Sequence, residues 1–435
     1  MDFYREYRAY NLSLAQNAPE AEAPVAACKG RGGRGIYPRL AVYMGGGSSH
    51  SWLWFVDLFE RLGLYDLAFV DHDEIARGGL SGSHGLAVSG GDTFGMAEAL
   101  GQRGARSLEK FIRGGGLYMG SCAGAYLFLR SSKEPLNMFN WVEAKITNLS
   151  SRLPKARDLP EKFCTAYGCS YVYHPVREDV SLAACGREPW PRTGEFDAPL
   201  YGGPAMIAMD NEQVLARYQG FTSRTRFLVD PQLAEDTLLN NAAVLRAELG
   251  RGACYLFGPH FEHPHFARAN QLLADAVYWD LPSVTLAGAP HEAATVQKVK
   301  ARRAWLRSLK REVSNIRVVA LGLESHPARW LIGRKVYEPA KLRVFAEAVW
   351  KRLLKLERVP RLVLTDRSDE LLADWMAVTV CIRMLYRELH RGSDGQEVAE
   401  DLFPALNSAA ARFMEIYFQN LLEEENQGRR ACSAA

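Results

Sequence analysis

From Arg39 onward, short apolar runs alternate with stretches whose apolar residues recur at helical spacing. The runs LAVYM (40–44), LAFV (67–70), GLAVS (85–89), LYMG (117–120) and ACYLF (253–257) have strand length. Helical periodicity fits WFVDLFERLG (54–63) and RSLEKFIRGG (106–115). Strands that alternate with helices predict a parallel sheet covered on both faces. The Gly-rich segments GGGS (45–48), SGGD (89–92) and GSCAG (120–124) fall at or just after the ends of these runs. Ligand chemistry in such sheets collects at the carboxyl ends of the strands. Residues 130–200 carry aromatic and Pro-rich patches such as SYVYHPVRE (170–178). They fit late strands, hairpins and a surface excursion, in an order the pattern leaves open.

The character shifts after about Leu286. QKVKARRAWLRSLKREV (297–313) is basic and amphipathic, and EPAKLRVFAEAVWKRLLKLE (338–357) starts with Pro339, suited to a first helical turn. Its stripe of Leu342, Phe345, Val349 and Leu353 reads as core. Residues 366–389 and 404–424 are also strongly helical, whereas RVVALG (317–322) and RLVLTD (361–366) have the look of strands. The segment AQNAPEAEAPVAACKGRGGRG (15–35) lacks apolar periodicity and reads as a linker. The expected organisation is an N-terminal segment (1–35), an α/β domain (36–285) and a mainly helical domain (286–435).

Composition narrows the class. The chain is 48% hydrophobic and 24% charged with a formal net charge of +3, which gives no global reason to expect nucleic acid. The basic stretch around Trp305 reads as a solvated helix face before it reads as a docking site for an acidic partner. No secretory signal and no membrane-length apolar run is found, so a cytoplasmic protein is expected. Eight cysteines are scattered without a CxxC pair, and most should be free thiols. The useful question is which of them is activated.

Cys122 answers it best. IRGGGLYMGSCAGAYLFL sets Gly120 and Gly124 two residues either side of the cysteine. A nucleophile held on a sharp strand-to-helix turn needs small neighbours, and a helix N-terminus favours the thiolate. An ordinary buried cysteine at a tight turn is the plainer alternative. Backbone N–H groups of Gly91 or Asp92, with that of Ala123, are placed to form an oxyanion hole, and Gly46 in the first Gly-rich turn joins the substrate-binding set. GACYLFGPHFEHPHF (252–266) ends in His260 and Glu262. If His260 approaches the sulfur it can act as base and then acid, with Glu262 orienting the ring. A surface ion pair would have the same spacing. His260, His263 and His265 also suggest a metal, but no further ligand lies at convincing spacing, and neither metal nor cofactor is expected.

Taken together, GSCAGAY, the preceding GG(G)-x-Y, SGGD and PHFE resemble the class I glutamine-amidotransferase-like superfamily. More closely, they resemble the domain at the N-terminus of eukaryotic biotin protein ligases. VYMGGG (42–47) resembles its Y-x-G-x-G turn, and GGLYMGSCAGAY its G-G-x-Y-x-G-x-C-A-G-x-Y pattern. SGGD has Ser89 where that family's loop has proline, and Phe261 replaces the usual proline of G-P-H-P-E. LYGGPAM (200–206) and VLARY (214–218) resemble its late segments. The resemblance spans roughly 39–270 and implies a flavodoxin-like, mostly parallel sheet with helices on both faces. It implies Cys122 as nucleophile, His260 as acid/base and Glu262 as orienter. The biotin-ligase catalytic half is not found, nor is a Walker-type phosphate loop. Two functions follow: a cysteine hydrolase or amidase acting on a small-molecule or peptide amide, or a catalytically silent module that binds a ligand and docks a protein partner through its helical part.

Overall fold

A computed structural model of the chain describes residues 38–153, 171–281, 299–359, 362–364 and 367–433. The linker (15–35) and the expected domain boundary at 285 lie outside them. Its first half opens as four short parallel strands with intervening helices: β1 (Leu40–Tyr43), α1 (Trp52–Arg61), β2 (Leu67–Val70), α2 (His72–Ala76), β3 (Gly85–Val88), α3 (Thr93–Arg113), β4 (Leu117–Ser121) and α4 (Ala123–Leu127). A series of strands follows: β5 (Ala144–Ile146), β6 (Val176–Arg187), β7 (Trp190–Leu200), β8 (Met206–Ala208), β9 (Val214–Phe221) and β10 (Arg226–Phe227). Helix α5 (Pro231–Leu238), β11 (Ala242–Leu249), β12 (Gly252–Phe257) and α6 (Ala267–Asp280) complete this half.

One 12-stranded sheet holds these strands in the order β10-β6-β9-β11-β12-β4-β3-β1-β2, with β7, β8 and β5 paired off that path. The run β2-β1-β3-β4-β12 is parallel throughout, which is the flavodoxin-like strand order. Its topological switch point falls at β1, where the chain moves first one way along the sheet and then the other. β11 pairs antiparallel with β12 and begins an antiparallel extension. Much of the 130–200 stretch is the long β6–β7 hairpin, whose register runs from Glu178↔Leu200 to Arg187↔Trp190. Strand alternation splits the core: Leu40 and Val42 feed one apolar cluster, while Ala41 and Tyr43 feed the other.

The remainder is helical, α7 (Val299–Leu323), α8 (Pro339–Leu356), α9 (Ser368–His390) and α10 (Gln396–Ser433), with one hairpin of β13 (Trp330–Ile332) and β14 (Lys335–Tyr337). The strand-like run 317–322 lies inside α7. Val313, Ile316, Ala320 and Leu323 are all buried at helical spacing, and that period over 25 residues outweighs a short β-branched run. Residues 362–364 form no strand either. The stripe Leu342, Phe345, Val349 and Leu353 is core. Trp305 is also buried, its indole N–H donating to Ser368 O at 2.7 Å.

These helices share the apolar cluster on the α1 face of the sheet. That packing explains α1, in which every residue from Trp52 to Phe59 is buried. A helix apolar nearly all round needs cover on all sides. Its one buried acid, Asp57, accepts from Arg352 at 2.7 Å and Lys351 at 2.5 Å, and Arg352 also reaches Glu60 at 2.6 Å. Burial pushes the Asp57 carboxyl up, but Lys351 and Arg352 together hold it well below the usual carboxylate range. Trp52 and Asn407 add a direct bond across the same seam at 2.6 Å.

Candidate active site

β4 runs straight into α4 through Cys122, whose φ of 52° is in the left-handed region. Few non-glycine residues hold that conformation, and those that do cluster at functional turns. Neighbouring elements over-determine it. Cys122 N–H donates to Phe257 O at 2.9 Å, and Gly124 N–H to Ser89 O at 3.3 Å. The glycines are required sterically: a Cβ on Gly124 would collide with the Val88 carbonyl, and one on Gly120 would stand 2.5 Å from Gly124 O. The sulfur is left at the carboxyl edge of the sheet on a residue 8% exposed. α4 is only five residues long, so its dipole is small and the side chains around the sulfur carry the electrostatics.

β12 delivers the other two groups. His260 is 2% exposed and Glu262 fully buried. The His260 Nδ1–H donates to Glu262 Oε1 at 2.8 Å, and His260 and Cys122 line the same cavity. Burial pulls the imidazole down, but the Glu262 carboxylate and the Cys122 sulfur outweigh it and raise the pKa to about 9. Two hydroxyls fix the carboxylate: Ser89 Oγ donates to Oε1 at 2.7 Å and Ser121 Oγ to Oε2 at 2.8 Å. Trp54 packs edge-on against the imidazole at 5.0 Å between ring centroids. A Cβ on Gly90 would stand 2.9 Å from the His260 Cε1, so the ring is held from three sides. His263 shares Trp54 with His260, its ring 4.5 Å from the indole, and also meets His265 at 5.0 Å. Among the described residues, no three His, Cys, Asp or Glu side chains are grouped so as to hold a metal ion.

The expected oxyanion and substrate-binding set separates. Among the described residues, neither Gly91 N–H nor Ala123 N–H has an acceptor, and both residues line the cavity at the sulfur. Asp92 does not supply its amide, which donates to Gly47 O at 2.8 Å. Its carboxylate accepts the Arg334 N–H at 2.9 Å. Gly46 lies away from the cavity, its N–H turned to His72 Nδ1 at 3.2 Å and its carbonyl to the Tyr43 hydroxyl at 2.8 Å. Ser89, Ser121 and Trp54 were legible only as residues next to motifs. The replacement of the family's proline by Ser89 was the one signal that pointed to any of them.

The C-terminal hairpin forms part of the wall. Arg334 pairs with Glu98 through both guanidinium NH groups, at 2.6 and 3.0 Å, and lies over the Phe94 ring. Below it a cavity of about 1780 Å³ opens beside Cys122 and His260. Residues of the 130–200 stretch, including Lys133, Tyr171 and Arg177, and residues of β14 and α8 enclose it. A space of this size accommodates a molecule larger than a single amino acid.

The fold is a flavodoxin-like α/β domain with Cys122, His260 and Glu262 grouped at the carboxyl edge of its sheet. Residues 40–133 match the family described as biotin-protein ligase, N terminal, a stretch that includes Cys122, Gly91 and Ala123 but not His260 or Glu262. Among solved structures the chain is similar to a glutamine amidotransferase at 16% identity and a TM-score of 0.35, covering 57% of this chain and 100% of that one. It is similar to a ThuA-like protein from Bacteroides uniformis at 12% identity and TM-score 0.33, covering 57% of this chain and 94% of that one. A β-galactosidase from Bacillus circulans sp. alkalophilus shares 13% identity at TM-score 0.30, covering 55% of this chain and 31% of that one. At such scores none of the three says anything about chemistry. No curated protein matches the chain. None of the described helices is long and apolar enough to cross a membrane.

Proposed function

We propose that the protein is a cysteine-dependent hydrolase or amidase that acts on an amide through a thioester, with Cys122, His260 and Glu262 as its triad. What supports this reading is the buried His260–Glu262 pair, closed by Ser89 and Ser121 and lining one cavity with Cys122. The Cys122 sulfur, its proton held on His260, attacks the carbonyl carbon. The C=O pair becomes an oxyanion, to which the N–H groups of Gly91 and Ala123 donate. Collapse breaks the C–N bond, His260 gives its proton to the leaving nitrogen, and an amine or ammonia departs. Water then attacks the thioester while His260 takes one of its protons. Collapse of the second oxyanion breaks the C–S bond and releases the acid.

The test is intact-mass spectrometry of the full chain with activated esters and amides. The expected result is an acyl adduct on Cys122 that Cys122→Ala lacks, with His260→Ala reducing its formation by about 10²–10⁴-fold. Equal acylation of Cys122→Ala, or full-rate turnover by His260→Ala, would sink the assignment.

A second reading, a partner-binding module, draws support from one observation. Val318 and Leu321 on α7 and Met376, Val380 and Met384 on the adjoining α9 are exposed apolar side chains on one region of the helical part. Under this reading Cys122→Ala leaves capture of the partner intact.

A further inference from the structure

The chamber over Cys122 is lined by acids and bases whose pairing is uneven. Its acids are engaged. Asp57 pairs with Lys351 and Arg352, Asp179 with Arg224, Glu324 with Arg343 and Glu347 with Arg317. Asp92 accepts from the Arg334 backbone, Glu338 lies 3.7 Å from Arg329, and Glu178 accepts from the Tyr201 hydroxyl at 3.3 Å. Among its bases, Lys133 lies over the Tyr171 ring and Lys145 is exposed, and two further lysines have no ion pair. Lys335, on β14, and Lys341, in the first turn of α8, line the same cavity. Among the described residues neither ammonium has a hydrogen bond or ion pair.

A second, independent observation points the same way. His50 is 6% exposed and also lines the chamber, yet its Nδ1 has no hydrogen-bond partner. His174, another lining residue, likewise has an unpartnered buried Nδ1. Half-buried ammonium groups without an ion pair and buried polar atoms without partners are costly in a folded chain. They are what a bound oxyanion would satisfy.

We propose that the chamber holds the oxyanion of its substrate, a carboxylate or phosphate group, between the ammonium groups of Lys335 and Lys341, so that the molecule acylating Cys122 is an anionic one. The substrate class rests on the hydrolase reading above. The anion site rests only on the chamber's own geometry. The electrostatics agree with it. Burial lowers the Lys341 ammonium to about 8, and Arg177 and Lys335 add to that, opposed by Glu338 and Glu178. Burial also lowers Lys335, with Arg177 adding to the effect and the Cys122 sulfur and Asp92 opposing it. Both lysines also depress His50, after its own burial. An incoming anion relieves this mutual repulsion, and because Lys335, Lys341 and Cys122 line one cavity, one molecule can meet all three. Both lysines come from the C-terminal region, so that region selects the substrate as well as covering the site.

The test uses the full chain and 4-nitrophenyl esters of one straight-chain acid whose far end is a carboxylate, a phosphonate or a neutral carboxamide. Acylation is read by nitrophenolate release and intact mass, and binding of adipate and inorganic phosphate is measured by calorimetry. An anionic ester should acylate Cys122 at least about tenfold faster than the carboxamide. The double variant Lys335→Met/Lys341→Met should bring that ratio to about one. Lys335→Arg/Lys341→Arg, which keeps the charges, should retain the preference and so separates charge loss from misfolding. Whichever of carboxylate and phosphonate leads names the group. Equal rates for all three esters, with no binding of adipate or phosphate, overturn the anion site and leave the hydrolase reading standing. Lysine-dependent adipate or phosphate binding without any acylation keeps the anion site and removes the hydrolase. Absence of both removes both.

Discussion

At the residue scale, the contrast between His260 and its neighbours shows how side chains of one type are given different work. His260 has a carboxylate on one ring nitrogen, and its pKa rises to about 9. Burial lowers both His174 and His263 instead. Under the proposed hydrolase reading His260 acts from the imidazolium, and the rate of acylation should fall as pH rises through about 9. In Glu262→Gln the largest force holding that proton is lost, so the alkaline limb should move to lower pH; a pH–rate profile of ester acylation measures it. An unmoved limb would mean that Glu262 is structural only. Cys122, His260 and Glu262 were legible in the sequence because their motifs are short and ordered. Ser89 and Ser121 were not, because a serine beside a glycine carries no local sign of a distant carboxylate. Nor does the sequence of SGGD say which of its amides is already taken by Gly47.

At the element scale, the β4–α4 turn is where strain and chemistry meet. Cys122 is held at φ 52°, and glycine adopts that conformation without steric cost. Cys122→Gly and Cys122→Ala both remove the thiol but differ in what the backbone permits. The glycine variant should be the more stable of the two by about 1 kcal/mol, read by urea unfolding. The opposite order would mean that the turn is not strained. The elements themselves show where local pattern suffices. The parallel strands were plain as apolar runs, because burial on both faces leaves no polar alternation to blur them. α3 was seen only over its last turns: Gly101, at φ 54°, interrupts the helix, and the glycines before it hide the period. The run 317–322 misled in the other direction, since six residues hold too little of a 3.6 period to compete with β-branched composition.

At the scale of the whole molecule, the buried histidines tie folding to pH. The unfolded chain binds protons at ordinary histidine values near 6.5, whereas folded His174 does so only at about 4 and His50 and His263 well below 6.5. Their stability contribution is thus present above 6.5 and lost as pH falls below it. For His174 alone that loss approaches ~3 kcal/mol by about pH 4. His260 has the opposite sign: its contribution is full below 6.5 and disappears as pH rises through about 9. Thermal unfolding from pH 4 to pH 9 should therefore give the highest midpoint near neutrality. The acid-side fall should be shallower in His174→Asn, and an unchanged slope there would remove His174 from the account.

What the sequence determined by itself was local: which runs make strands, which turn needs glycine on both sides of a cysteine, and which stripe of the C-terminal helices is core. Those depend on neighbours within a few residues, where apolar spacing and glycine sterics act directly. Tertiary structure decided the rest. It set which amides of the Gly-rich loops were free, joined two serines from different strands to one carboxylate, and buried α1 between the sheet and helices more than 250 residues further along the chain. It also placed Lys335 and Lys341 in the lining of the cavity at Cys122. These depend on packing distant segments against one another, and the spacing of residues along a chain holds no record of that.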